Sequence, residues 1–303
     1  NRRWWKWSFL YIFKKKEMII WLASYPKSGN TLVRSMLSAY FFTTDGKFNF
    51  DIIKNINQFP DLKLFENYGV NTSDQTEIVK NYINVQNKIN KIDKNSVRFI
   101  KTHSGLSDIN GHQFTNLKNS LGVIYVVRDP RSVVKSYANH NQMTLERASN
   151  RMLEHGATLG GIKNSTNEVD KIITHMNSWS LNYESWKEFK KFDRYLLVKY
   201  EDLINDKEKV FLSILKFVHK LSKSKFSIDD KKLRNILDTT TFEYMQNLEK
   251  NKGFEESVNI QNNKKITFFK YGPKVNTPES LPLKIKVKLE VSLKKEMKEL
   301  EYL

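Results

Sequence analysis

The stretch "IIWLASYPKSGNTL" (Ile19–Leu32) decides how the chain is read. An apolar run from Met18 to Ala23 has the pattern of a strand buried on both faces of a parallel sheet. It stops at Tyr25-Pro26, and Lys27 follows at once. Ser28-Gly29-Asn30-Thr31 then leads into Leu32, Val33, Met36, Leu37 and Tyr40, which recur at helical spacing. Strand, tight loop and helix in that order bring backbone N–H groups to a helix N-terminus, where the macrodipole favours an anion. Gly29 lets the backbone approach closely, Lys27 adds a point charge, and the Thr31 hydroxyl can donate to an oxygen. A phosphate fits such a loop, although an ordinary tight turn stays open as a reading of this stretch alone. Lys27 precedes Gly29 by two positions, so the Walker A pattern GxxxxGK[ST] is not met.

The same grammar recurs along the chain. "VRFIKTH" (Val97–His103) reads as a strand. "GVIYVVRDPRSVVKSY" (Gly122–Tyr137) reads as a β-branched strand ending near Arg128, with Asp129 as N-cap and Pro130 at the first helical position. "RYLLVKYEDL" (Arg194–Leu203) is another strand, reaching a loop near Tyr200, and Lys209 to Val218 carries an apolar helical face. Strands alternating with helices predict an α/β domain with a mainly parallel sheet. Ligands of such sheets bind outside the carboxyl ends of the strands. Lys27, His103, Arg128 and Tyr200 all fall there.

Arg128 with Ser136 two turns into the following helix is good phosphate chemistry, and either residue alone reads equally as solvated surface. Lys101 and His103, two apart on a strand, share a face. Histidine at such a place suits a general base toward a hydroxyl nucleophile, and a structural histidine is the competing reading.

Composition narrows the classes. The chain of 303 residues has no cysteine and six histidines without HExxH-like pairing, so neither disulfides nor a thiolate metal site is available and no metal is expected. A formal charge of +18 favours anions, acidic membrane surfaces or nucleic acid. No linker composition or fixed-period repeat divides the chain. The expected organisation is a basic, aromatic extension over residues 1–17 and a single domain over 18–303. The apolar run Ser8 to Phe13 is far shorter than the ~20 residues of a spanning helix, and no signal peptide pattern is present. A cytoplasmic protein is expected, with residues 1–17 read either as a tail without function or as a membrane-surface contact through Trp4, Trp5, Trp7 and Lys14 to Lys16.

Taken together, these motifs resemble those of the sulfotransferases that use 3′-phosphoadenosine 5′-phosphosulfate (PAPS). The 5′-phosphosulfate loop of that family is similar to "YPKSGNTL", its 3′-phosphate motif to "VVRDPRSVVKSY", its KTH segment to "IKTHSG", and its KYEDL element to Lys199–Leu203. "TTTFEYM" (Thr239–Met245) resembles the adenine-side segment, and "EMKELEYL" the terminal helix of bacterial members. Order and spacing agree from about Met18 to the end. The resemblance implies a P-loop-like α/β architecture and metal-independent, in-line transfer that leaves adenosine 3′,5′-bisphosphate (PAP). It also implies roles. Lys27 would stabilise the leaving phosphate, with Ser28, Gly29, Asn30 and Thr31 cradling the 5′-phosphate and Arg128 and Ser136 binding the 3′-phosphate. His103 would deprotonate the acceptor beside Lys101. Thr240, Phe242 and Tyr200 would border the nucleoside, and Lys270 stands where the family's late motif has an arginine. The chain departs from the pattern at Leu32, where many members carry a stacking tryptophan, and at Lys270.

A small-molecule kinase fits the phosphate loop but leaves Arg128 and Ser136 without a reason. A non-catalytic member binding PAP, another anion or a membrane surface fits the charge and the two departures. The acceptor, be it a small molecule, a glycan or a lipid hydroxyl, is expected to contact insertions between Phe41 and Lys94 and between His140 and Trp179. Phe48, Phe50, Phe59, Phe65 and Tyr68 read as core before pocket. No nucleic-acid partner is expected.

Overall fold

The computed structural model describes residues 19–92, 97–162, 169–254, 256–257, 267–272 and 276–303. The extension over residues 1–17 therefore lies outside the described residues. Four parallel strands form the central sheet: β1 (Ile19–Ser24), β2 (Arg98–Thr102), β3 (Ser120–Val127) and β6 (Tyr195–Lys199), in the order β2-β1-β3-β6. Two further strands, β4 (Thr158–Ile162) and β5 (Val169–His175), pair as an antiparallel hairpin.

Alternate side chains of β1 and β3 join opposite faces of the sheet. Ile19, Trp21 and Ala23 of β1 join Val123, Tyr125 and Val127 of β3 in one apolar layer. Ile20 and Leu22 join Ile124 and Val126 in the other. Both faces are covered, which is why β1 reads as a continuous apolar run rather than an alternating one. The first layer is closed by α2 (Tyr82–Ile92), α3 (Pro130–His140), α4 (Leu145–Leu153), α5 (Trp179–Trp186) and α10 (Leu283–Ser292). The second is closed by α1 (Asn30–Phe42), α7 (Lys207–Ser222), α8 (Asp230–Thr239) and α9 (Phe242–Lys252). A short helix, α6 (Tyr200–Asn205), follows β6 directly. Phe48, Phe59 and Phe65 are buried in these layers, with Phe50 and Tyr68 packed against them.

The outer edge of β2 is covered by Asn57–Phe59. Lys101 N–H donates to the Asn57 carbonyl at 2.8 Å, and Phe59 N–H donates to the Lys101 carbonyl at 2.9 Å. The chain leaves β1 toward β2 on one side and leaves β3 toward β6 on the other. A crevice thus opens between the carboxyl ends of β1 and β3. Among the described residues, no helix is long and apolar enough to cross a membrane.

Candidate active site

The crevice holds a cleft of about 1270 Å³ whose wall includes Lys27, Gly29, Asn30, Thr31, Lys101, His103, Arg128, Ser136, Tyr200, Thr240 and Phe242. Segments spread from residue 27 to residue 242 therefore meet at one edge of the sheet. Two residues singled out in the sequence stand apart from the wall. Ser28 is fully buried beneath the loop, and Lys270 turns its ammonium to Asn139 Oδ1 at 3.0 Å, at the end of α3.

The loop after β1 bends through two left-handed residues, Lys27 with φ of 65° and Gly29 with φ of 102°. Gly29 is the N-cap of α1, so the free first-turn amides of that helix open beside it. A Cβ on Gly29 would lie 2.4 Å from Tyr200 Cδ2. The Tyr200 ring packs against the loop at Gly29 and carries the Arg128 guanidinium 4.3 Å from its centroid. The KYEDL element thus has a structural part: Tyr200 contacts both the loop and Arg128, and Glu201 accepts from Asp129 N–H at 3.0 Å and from the Tyr302 hydroxyl at 2.9 Å. Asp129 caps α3 by accepting from Arg131 N–H at 2.8 Å, with Pro130 at the start of that helix.

Lys27 places its ammonium 3.5 Å from the centroid of Phe268. Burial pulls it down to about 7, and Lys101 and Arg128 push the same way against Glu256. It is a cation set where desolvation makes charge expensive, so an arriving anion gains more there than at the surface.

His103 is held by β1. Its Nδ1 lies 2.9 Å from the Ser24 carbonyl oxygen and 3.2 Å from Ser24 Oγ. A carbonyl oxygen only accepts, so Nδ1 carries the proton and Nε2 keeps its lone pair. Burial, then the charge of Lys101, lower the imidazole to about 3 against the Ser24 hydrogen bond, so the ring is neutral at physiological pH. Asn182 supports it from below, donating to the His103 carbonyl at 3.0 Å and to the Met176 carbonyl at 2.8 Å while accepting from the Tyr125 hydroxyl at 2.7 Å.

Several charged wall or near-wall residues had not been singled out, among them Glu256, Lys207 and Arg34. Glu256 bridges Lys101 and Arg34. Lys207, lowered to about 8 by burial, donates to the Leu237 carbonyl at 2.5 Å and lies 3.4 Å from Thr240 Oγ1. Arg34 had a signal in the sequence, because it interrupts the buried face of α1; Glu256 and Lys207 had none. The wall also includes Gln58, Pro60, His140, Leu159, Ile172 and Thr174, from the two insertions expected on the acceptor side.

The model of the sulfotransferase domain family matches residues 18–300. The chain belongs to the sulfotransferase domain family. Mouse sulfotransferase SULT7A1, crystallised with PAP, is similar over 95% of this chain and 86% of its own, at 15% identity and a TM-score of 0.50. A retinol dehydratase in complex with retinol and PAP matches at 15% identity and a TM-score of 0.46, over 94% of this chain and 83% of its own. The sulfotransferase domain of the Synechococcus PCC 7002 olefin synthase matches at 14% identity and a TM-score of 0.42, over 92% and 96% respectively. No curated protein matches. The fold is accordingly the P-loop-like α/β architecture of sulfotransferases, a parallel sheet flanked by helices.

Proposed function

We propose that this sulfotransferase takes a sulfuryl group from PAPS and delivers it to a hydroxyl or amine of its acceptor, with His103 as the base. The observation that carries the reading is the tautomer of His103: a carbonyl fixes the proton on Nδ1, leaving the Nε2 lone pair to accept a proton in the same cleft as Lys27 and Arg128. The residues fit the donor. Arg128 Nε and Asn30 Oδ1, of residues on the cleft wall, are buried polar atoms without a partner in the protein, an expensive arrangement that a polar ligand would relieve. Gly29 lets the Tyr200 ring pack directly against the loop, where a side chain would collide with it. The PAP carried by mouse SULT7A1 supports the same class of ligand here.

When bound, PAPS supplies the sulfuryl group and a bisphosphate leaving group. Lys27, the loop from Ser28 to Thr31 and the first amides of α1 hold its 5′ end; Arg128 and Ser136 hold the 3′-phosphate. Thr240, Phe242, Tyr200 and Leu32 border the nucleoside. Lys27 offers its charge to the leaving oxygen and Lys101 to the sulfuryl oxygens, where preorganised cations act most strongly. His103 Nε2 accepts the acceptor's proton. The acceptor occupies the part of the cleft lined by Gln58, Pro60 and the β4–β5 hairpin.

Calorimetric titration with PAP, and with ATP in parallel, tests the donor assignment. Micromolar PAP affinity with ATP at least about tenfold weaker is the expected result. Equal affinities, or no PAP binding, would remove PAPS from the reading.

A further inference from the structure

We propose that Glu256 is a positioning residue of the transfer site, a carboxylate that fixes the Lys101 ammonium and the Arg34 guanidinium together. The inference rests on the donor assignment above and assigns a role to a residue that no motif marks.

Both Glu256 oxygens lie 3.2 Å from Lys101 Nζ, and Arg34 Nη1 donates to Oε1. Arg34 Nε donates in turn to the Ile56 carbonyl at 2.8 Å, one residue before the segment that pairs with β2 at Lys101. The carboxylate therefore joins α1, the covered edge of β2 and the chain beyond α9. The Lys101 and Arg34 side chains are each 7% exposed, while Glu256 is 29% exposed and lines the cleft. Two cations at that depth without an anion would repel each other and tend to shed charge or move. Ion pairs at the surface contribute little, but this one is largely withdrawn from water.

Packing sets the place of the carboxylate. Phe254, two residues earlier, is buried in an aromatic cluster, with centroids 4.5 Å from Phe50, 5.0 Å from Phe268 and 5.6 Å from Phe269. Ser257, one residue later, donates to Glu249 Oε1 at 2.7 Å. The flanks are anchored independently of the cations, so Glu256 holds Lys101 rather than being merely drawn to it. Lys101 ends up near the end of the strand that presents His103, two residues before it. Glu256 is not a competing base: although burial raises it, Lys101 and Arg34 bring it down to about 2, and both oxygens are engaged. It is also the leading carboxylate acting on Lys27, so its removal lowers the pH at which Lys27 gives up its proton.

The test combines PAP titrations from pH 6 to 9 with transfer kinetics, on wild type, Glu256→Gln, Lys101→Met and the double variant. Glu256→Gln is expected to bind PAP at pH 6 within about threefold of wild type, since PAP has no sulfuryl group for Lys101 to meet. Its affinity should begin to fall at a lower pH than that of wild type. Its kcat should drop about a hundredfold, the scale of one lost transition-state contact. The double variant should be no slower than Lys101→Met alone, because residues acting as a unit are not additive. If Glu256→Gln does not fold, Glu256→Asp keeps the charge and shortens the reach; reduced kcat with wild-type PAP affinity supports the role, and full kcat overturns it. An unaltered pH dependence and kcat in Glu256→Gln, or losses that multiply in the double variant, would overturn it as well. Wild-type protein that fails to bind PAP would sink the donor assignment itself, whereas normal wild-type binding with an unaffected variant sinks this inference alone.

Discussion

At the level of single residues, protonation states set the chemistry. His103 stays neutral because burial and Lys101 oppose its charging, and the Ser24 carbonyl directs its lone pair through Nε2. His103→Ala should reduce kcat by about 10²–10⁴ and leave PAP affinity near wild type, because a base acts in the chemical step; steady-state kinetics paired with titration measures both, and undiminished turnover would refute the assignment. Lys27 makes the opposite kind of prediction. In the free protein it loses its proton near pH 7, whereas beside a phosphate the charged form is favoured. Binding at pH 8 should therefore take up a proton, and PAP affinity should weaken as pH rises through about 7. Calorimetry in buffers of different ionisation enthalpy reads the uptake directly; a heat independent of buffer would mean that Lys27 does not face the anion. Lys27, Arg128 and His103 were legible because each ends a strand, so local grammar places them. Glu256 was not, since its meaning arises from packing against residues 155 and 222 positions away.

Among the elements, the four parallel strands and the helices after β1 and β3 were legible from apolar periodicity, with Asp129 and Pro130 marking the start of α3. The β4–β5 hairpin was not: Thr158–Ile162 contains Gly160 and Gly161, which weaken any strand pattern. The contact between the loop after β1 and α6 was equally hidden, because it depends on how β6 delivers Tyr200. Its consequence is measurable. Gly29→Ala places a methyl group 2.4 Å from the Tyr200 ring at a φ of 102°, where an L residue is strained. Tyr200 must move, and Arg128, stacked on the same ring, must move with it. A loss of about 1–3 kcal/mol in stability and a larger loss in PAP affinity are expected from denaturant melts and titration. Unchanged affinity would show that the loop and Tyr200 move independently of the anion site.

Over the whole molecule, the two apolar layers share β1 and β3, whose alternate residues belong to opposite sides. Neither layer can lose its sheet without exposing the other. The C-terminal chain is tied in as well: Arg131 donates to Asp129, to Glu290 Oε1 at 2.6 Å and to the Tyr302 carbonyl at 2.7 Å, joining α10 and the last residues to the helix that begins beside Arg128. The region from residue 18 to the end should therefore unfold as one unit, in a single calorimetric transition. The cleft draws its wall from both layers, since Tyr137 and Ile172 belong to one and Leu32 and Met245 to the other. Ligand binding should consequently stabilise the unit as a whole. PAP at about one hundred times its dissociation constant adds ~2.7 kcal/mol, which raises Tm by roughly 5 °C. A single peak displaced intact is the expected thermogram; two peaks, with only one moved by PAP, would divide the chain into separate domains and confine the site to one of them.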